Sequence, residues 1–567
     1  MSLRVHLEGA GSAALNTARA RLALAGSLFA LAFAVVGVRL IDVSIVREAE
    51  ELQAGAKHEI ATQARLGRAD IVDRNGTLLA SSLATASLFG DPARVLDPAD
   101  AARRLTTVLP ELSVAEVTAK LSTDRRFVWL HRHLTPRQQY EINRLGIPGI
   151  DFRPDEKRLY PQGALTAHVV GYADVDGTGI AGIERNLDEV LRGGREPVAL
   201  SLDIRVQQIV RDELLRQIAK HRAIGGGGLV MDVDTGEVLA LVSLPDFDPN
   251  APTGGDPDNR FNRIALGVYE LGSVFKIFNH AMVLERGVAT LNKRYDATRP
   301  LRVSRFTISD FHPEKRPLSV TEIFEVSSNI GSALMALDAG GAAQRAFLER
   351  AGMFRKVPLE LPEMGDPMVP STWRDINVMT ISYGHGIAVS PLHLATAVAG
   401  IVDGGIMHPP TLLHREPDAV IPGTRIVSER TSAIMRSLMR LVVEKGTGKN
   451  ADVPGYIVGG KTGTAEKQVG GRYKKNALIT TFVGIFPANA PRYVVVAMLD
   501  EPKGIKETYG YATAGWTAAP VAKRIIARMA PLVGVPQQDP ESPEVRRALT
   551  LPTDTPRAAG TQTVAVN

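Results

Sequence analysis

The sequence predicts an α+β fold, with an antiparallel sheet drawn from both ends of one domain and a single membrane span upstream. Three observations carry this. Strand-like runs at 229–233 and 237–242 precede a long, mostly helical middle. Two more runs, at 477–486 and 492–499, follow it, and a helical stretch over 514–529 closes the domain. Strands in two groups around a helical middle are the pattern of α+β architecture. Ahead of all of these, residues 22–38 carry no charge and are bracketed by Arg21 and Arg39.

The uncharged stretch is seventeen residues long, the short end of the roughly 17–25 that a spanning helix needs. Leu40 and Ile41 extend it to 22–41, and the flanking arginines can reach the interface along their aliphatic stems. Arg4, Arg19 and Arg21 outweigh Glu8 in the preceding tail. The positive-inside rule then leaves residues 1–21 cytoplasmic and places the remainder outside. A cleaved signal peptide is the competing reading. Its cleavage-like Ala30-Leu31-Ala32 lies inside the apolar run, so an uncleaved single-pass anchor is preferred.

At 567 residues the chain is expected to form more than one domain. Its 44% hydrophobic and 22% charged residues place it among ordinary globular proteins. The net charge of +5 is mildly basic, but no Lys/Arg run or aromatic–basic interleaving points to nucleic acid. The absence of cysteine excludes a thiol nucleophile, disulfides and thiolate metal sites. The twelve histidines show no metal-ligand spacing, so neither metal nor cofactor is implied. His312, His385 and His393 read as cleft or packing residues.

After the span, 43–60 reads as a polar helix. Asn75-Gly76 is a hairpin turn between two short strands. Residues 97–147 read as mixed helix and loop, and 176–184 as a glycine-rich loop. Helical periodicity runs over 206–218, and Gly225 to Gly228 mark a junction. Asp234-Thr235-Gly236 is a tight turn between the first two strands of the sheet. Residues 535–567 are rich in Pro, Thr, Ala and charge, which predicts a disordered tail.

Chemistry concentrates in three places. Ser273 and Lys276 are three apart at the head of a helix that is apolar nearly all round, through Val274, Phe275, Ile277, Phe278, Ala281 and Met282. That spacing puts hydroxyl and amine on one helix face, one turn apart. Serine needs a nearby base, and lysine can serve only if burial or a neighbouring cation lowers its pKa. Alone, the pair reads better as a capping serine and a solvated lysine. The second place is Ser327-Ser328-Asn329, after a capping box at Ser319 and Glu322. The third is Lys461-Thr462-Gly463-Thr464, behind a strand-like lead-in. An edge strand there could pair with an extended peptide. Residues 455–462 also fit the P-loop pattern letter for letter, but Tyr456, Ile457 and Val458 favour a strand, and no helix follows.

The motifs S-x-x-K, S-x-N and K-T-G follow in order, 54 and 134 residues apart. Together they are the signature of serine acyltransferases acting on penicillin and peptidoglycan peptides. From here the chain resembles the class B penicillin-binding proteins, the monofunctional D,D-transpeptidases of bacterial cell-wall synthesis. The resemblance runs from the span to about residue 531. It includes the pedestal motif at 68–80, where Ala69 replaces the family's glycine, and the stretch from Tyr160 to Glu184. It also includes Asn262-Arg263, 382–392, and Leu271 in place of a proline. Ser327-Ser328-Asn329 and 508–516 resemble the septal, FtsI-like branch of proteobacteria.

The resemblance implies a tail at 1–21, a span at 22–41, a pedestal (dimerisation or docking) domain at 42–225, a transpeptidase domain at 226–531 and a tail at 532–567. It implies a five-stranded antiparallel sheet flanked by helices, in the penicillin-binding and serine β-lactamase-like manner. It implies Ser273, Lys276, Ser327, Asn329 and Lys461 as catalytic residues. Thr462, Gly463, Thr464, Ser328 and Tyr383 would bind substrate. The expected ligands are stem peptides ending in D-Ala-D-Ala, and β-lactams. The expected partners are a SEDS-type glycosyltransferase and other divisome membrane proteins. The expected location is the bacterial inner membrane, with the catalytic domain periplasmic. Two alternatives share these motifs: a D,D-carboxypeptidase or elongation-type transpeptidase, and a non-enzymatic penicillin sensor or divisome scaffold.

Overall fold

The computed structural model describes residues 67–552, apart from 304–305, 417 and 470–471, and a few positions between 21 and 36. Among the described residues no helix is long and apolar enough to cross a membrane. Much of the expected span, and the expected polar helix at 43–60, lie outside them.

Residues 1–67 form one unit and 68–567 another. The larger unit opens with β1 (Ile71–Val72) and β2 (Leu78–Gly90). The turn at Asn75-Gly76 falls where expected, with Gly76 at a positive φ of 81°. The second strand is not short: it runs thirteen residues. It pairs antiparallel with β3 (Val128–Leu134) and with β4 (Ile150–Leu159), while β1 pairs parallel with β5 (Val198–Ala199). Helices Pro98–Val108, Val114–Leu121 and Pro136–Leu145 close a small core around Leu88, Leu105, Leu121, Leu130 and Ile142. Strand β3 interrupts the stretch expected to be helix and loop. Strand β4 also escapes sequence reading. It is bonded on one side only, to β2; Ile150 and Phe152 alternate onto the small core, but Pro154 and the charged residues after it cut the pattern short.

The second sheet has the order β8-β9-β10-β6-β7, every neighbouring pair antiparallel. Its strands are β6 (Gly225–Asp232), β7 (Val238–Leu244), β8 (Gly459–Val469), β9 (Arg472–Phe486) and β10 (Tyr493–Asp500). Both faces are buried. Along β10, Val494, Val496 and Met498 join one core, and Val495, Ala497 and Leu499 join the other, the period of two that a strand imposes. The second core is covered by α1 (Ile204–His221), with Val206, Val210 and Leu214, and by a C-terminal helix, Ala518–Met529, with Val521 and Ile525.

Gly225 to Gly228 are not a junction but the first half of β6. A Cβ on Gly227 would stand 2.6 Å from Ile264, and one on Gly228 2.6 Å from Val210. Glycine lets helix and loop lie directly on this strand. On the other face pack α2 (Lys276–Glu285), α3 (Asn329–Ala339), α4 (Pro391–Val402) and α5 (Glu429–Glu444).

Part of the expected disordered tail is structured. After the helix Ala518–Met529, labelled α6, comes α7 (Pro543–Leu549), capped by Ser542 with Pro543 in its first turn. Val545 is buried, and Leu549 and Leu551 pack against the main core. The few apolar residues of this segment suffice because they dock on an existing surface rather than build a core. Residues 553–567 lie outside the described part.

Candidate active site

Ser273 lies in a short 3₁₀ turn, Gly272–Phe275, that runs straight into α2. Gly272 has a φ of +62°, a conformation glycine adopts without strain. A Cβ there would stand 2.5 Å from the Thr464 carbonyl oxygen, and a Cβ on Gly463 would stand 2.2 Å from the Leu271 carbonyl oxygen. The turn and edge strand β8 therefore meet backbone to backbone. Helix α2 is held by Ile277, Phe278, Ala281 and Met282, all buried, with Phe275 and Phe278 edge to face at 5.3 Å. This packing fixes Lys276 one turn beyond Ser273.

Lys276 is fully buried. Its Nζ has three partners: Ser273 Oγ at 2.7 Å, Asn329 Oδ1 at 2.7 Å and Ser327 Oγ at 3.3 Å. Burial, and then the charge of Lys461, push its pKa well below the usual lysine range, with Asp310 opposing. A neutral amine has two N–H groups and one lone pair. The Asn329 carbonyl oxygen can only accept. With the second N–H on Ser327, the lone pair is left for the Ser273 hydroxyl to donate to.

Ser327 has a φ of +62°, a strained value for a residue with a side chain. The strain holds its hydroxyl between two lysines, because Lys461 Nζ also donates to Ser327 Oγ, at 2.9 Å. Lys461 is fully buried, and burial pushes its pKa down to about 7. Asn329 is fixed by a hydrogen bond from Nδ2 to the Ser309 carbonyl, at 3.1 Å.

The other expected residues divide. Thr462, Gly463 and Thr464 line up along β8, at the edge of the sheet. The Thr464 hydroxyl accepts from the Ala514 N–H at 3.0 Å, tying the strand to the following loop. Tyr383 lies beside the cluster, its ring centre 5.9 Å from Lys276 Nζ, and His385 packs edge-on against it. Ser328 does not fit the expectation of a substrate contact. It is buried, caps α3 through the Gly331 N–H at 3.0 Å, and donates to Asp310 Oδ2 at 2.7 Å. Ser327 and Asn329 thus bond into the lysine cluster, while Ser328 bonds Asp310 and the Gly331 N–H, away from it.

Asp310 escaped sequence reading. Its carboxylate accepts from Ser328 and from the Asn329 and Ile330 N–H groups, at the N-terminus of α3, where negative charge is stabilised. No local signal marks it, because the strand Pro317–Ser319 and the helix Val320–Glu325 lie between it and the helix whose N-terminus it binds. The P-loop pattern is ruled out by geometry: its Lys461 and Thr462 sit in an extended strand, not at the head of a helix.

A serine bonded to a buried lysine whose pKa is pushed well down, at the edge of an antiparallel sheet with helices on both faces, defines an active-site-serine acyltransferase of the penicillin-recognising type. The penicillin binding protein transpeptidase domain matches residues 226–527, and the penicillin-binding protein dimerisation domain matches 64–213. The chain is 41% identical over 481 residues to the probable peptidoglycan D,D-transpeptidase FtsI of Caulobacter vibrioides, covering 82% of each. It is 30% identical over 534 residues to the peptidoglycan D,D-transpeptidase FtsI of Escherichia coli, covering 87% of this chain and 88% of that one. Among solved structures, penicillin binding protein 3 of Mycobacterium tuberculosis, complexed with aztreonam, aligns with a TM-score of 0.67 at 25% identity, over 84% of this chain and 98% of that one. The chain belongs to the class B penicillin-binding proteins.

Proposed function

We propose that this chain is a serine-type peptidoglycan D,D-transpeptidase that cross-links stem peptides at the division septum. The reading rests above all on the Lys276 amine, buried with its Nζ 2.7 Å from Ser273 Oγ. Ser273 attacks the penultimate D-Ala carbonyl of a stem peptide ending in D-Ala-D-Ala, and Lys276 takes the hydroxyl proton. Ser327, between the two lysines, returns a proton to the departing D-Ala amine. Lys461 and Thr462 bind the terminal carboxylate. Backbone N–H groups of Ser273 and Thr464 receive the oxyanion, each such donor typically worth about 10²–10³ in rate. A side-chain amine of a second stem peptide then attacks the acyl-enzyme, forming the cross-link and freeing Ser273. A β-lactam acylates the same oxygen: its ring C–N bond breaks, and the nitrogen takes the proton.

The anchor at 22–41 holds the catalytic domain on the periplasmic side of the inner membrane, with the N-terminus cytoplasmic. Leu24, Leu31, Phe33, Val35 and Val36 support this, being exposed apolar side chains on helical positions, a feature that calls for lipid or a partner. A SEDS-type glycosyltransferase and other divisome membrane proteins are the partners this role requires.

Labelling of the full-length chain by a fluorescent penicillin, beside Ser273→Ala, tests the reading. The parent labels and Ser273→Ala does not. A folded parent that stays unlabelled removes the enzymatic reading and favours a scaffold.

A further inference from the structure

We propose that Thr447, outside all three motifs, is a positioning residue that orients the Thr462 hydroxyl for recognition of the ligand's carboxylate; this rests on the carboxylate role given to Thr462 above. Thr447 lies in a Gly-Thr-Gly loop just after α5. The loop is wedged. A Cβ on Gly446 would stand 2.5 Å from the Glu325 carbonyl oxygen, at the end of the helix that leads into Ser327. A Cβ on Gly515 would stand 2.8 Å from the Thr447 carbonyl oxygen. Asn450 Nδ2 bonds the Gly515 carbonyl at 2.8 Å. The loop therefore holds Thr447 between the Ser327 element and strand β8.

Thr447 Oγ1 and Thr462 Oγ1 are 2.7 Å apart. Thr462 is only 7% exposed, whereas Thr447 is exposed to solvent. Each hydroxyl carries one proton, so only one proton lies between them. If Thr462 supplies it, Thr462 presents a lone pair to the cleft and repels a carboxylate. If Thr447 supplies it, the Thr462 proton is free to bond the carboxylate. Thr447 can replace its spent donor with water on its exposed side, which Thr462 cannot. An arriving carboxylate thus selects the chain Thr447 to Thr462 to ligand. Lys461 Nζ, 3.3 Å from the Thr462 carbonyl oxygen, supplies the charge, and the two hydroxyls supply direction.

The test uses the full-length chain as parent, Thr447→Val and Thr447→Ser. It measures the second-order rate of Ser273 acylation by a penicillin with a free carboxylate and by its methyl ester. Valine keeps the shape and removes the hydroxyl. Thr447→Val slows reaction with the acid about three- to tenfold, the range of one ordinary hydrogen bond. It leaves the rate with the ester at the parent value, and Thr447→Ser restores the rate with the acid. An equal loss with acid and ester makes the loop merely structural and overturns the proposal, as does no loss with either. In both cases a parent that labels leaves the transpeptidase reading standing. A folded parent unreactive to the acid overturns both.

Discussion

Lys276 and Lys461 are both buried, and both are pushed below the usual lysine range, Lys276 by burial and by Lys461, Lys461 by burial alone. They titrate as a pair. A general base works only when deprotonated, so acylation rises with pH through an acid limb and is lost as the pair takes up protons. Lys461→Met removes the cation that disfavours a second charge, so Lys276 keeps its proton to higher pH. The pH profile of penicillin acylation for Lys461→Met shows an acid limb displaced upward, with a plateau about ten- to hundredfold lower from the lost charged contact. An acid limb at the parent position would sink the coupling. At this scale the sequence was legible where chemistry restricts the residue type. Only serine among the residues of the S-x-x-K motif can be its nucleophile, and only lysine its base. Asp310 and Thr447 were not legible, because a carboxylate or hydroxyl in a loop has many uses and its partners are set by the fold.

At the scale of elements, the nucleophile turn and edge strand β8 depend on two glycines that leave no room for a side chain. Gly463→Ala places a methyl against the Leu271 carbonyl oxygen, 2.2 Å away as built. Something must shift, and the shift moves Ser273 relative to Thr464. Gly463→Ala is expected to cost about 1–3 kcal/mol of stability and to slow penicillin labelling more than the melting change alone explains. A variant that labels at the parent rate would show that the turn and strand move together without consequence. Strands β7, β9 and β10 were legible because β-branched and apolar runs flank clear turns. The glycines of β6 hid its first half, and the edge strand β4 offered only Ile150 and Phe152 before a proline and a charged run. The C-terminal helix α7 was not legible in a segment of low apolar content, although Ser542-Pro543-Glu544 caps its start.

At the scale of the whole molecule, residues far apart in the chain close one buried charge network. Glu184, with no exposed side-chain surface, takes ion pairs from Arg68 and from Arg158 Nε, the latter at 2.7 Å. Arg68 also reaches Asp188 at 2.6 Å, and Arg158 Nη2 donates to the Ala69 carbonyl at 2.9 Å. The pedestal motif and the Tyr160 to Glu184 stretch are thus joined in one contact. Ala69 replaces the usual glycine without strain, since its φ is not positive and its side chain is buried. Glu184→Gln leaves two arginines facing one neutral amide. Removing one partner of a buried ion pair typically costs about 3–5 kcal/mol, so a marked drop in denaturation midpoint is expected. A midpoint equal to the parent's would show that water or Asp188 takes over the charge.

By itself the sequence determined the family, the order of the catalytic motifs, the membrane-span expectation and the main strands of the second sheet. These rest on residue chemistry and on short-range periodicity, both of which are written in neighbouring positions. The tertiary structure alone decided that Ser328 turns away while Ser327 and Asn329 turn in. It alone decided that Lys276 is fully buried with its Nζ 2.7 Å from Ser273 Oγ, and that Asp310 and Thr447 brace the cleft. Those outcomes depend on burial and on hydrogen-bond direction, which arise when distant faces of the chain are pressed together and water is excluded between them.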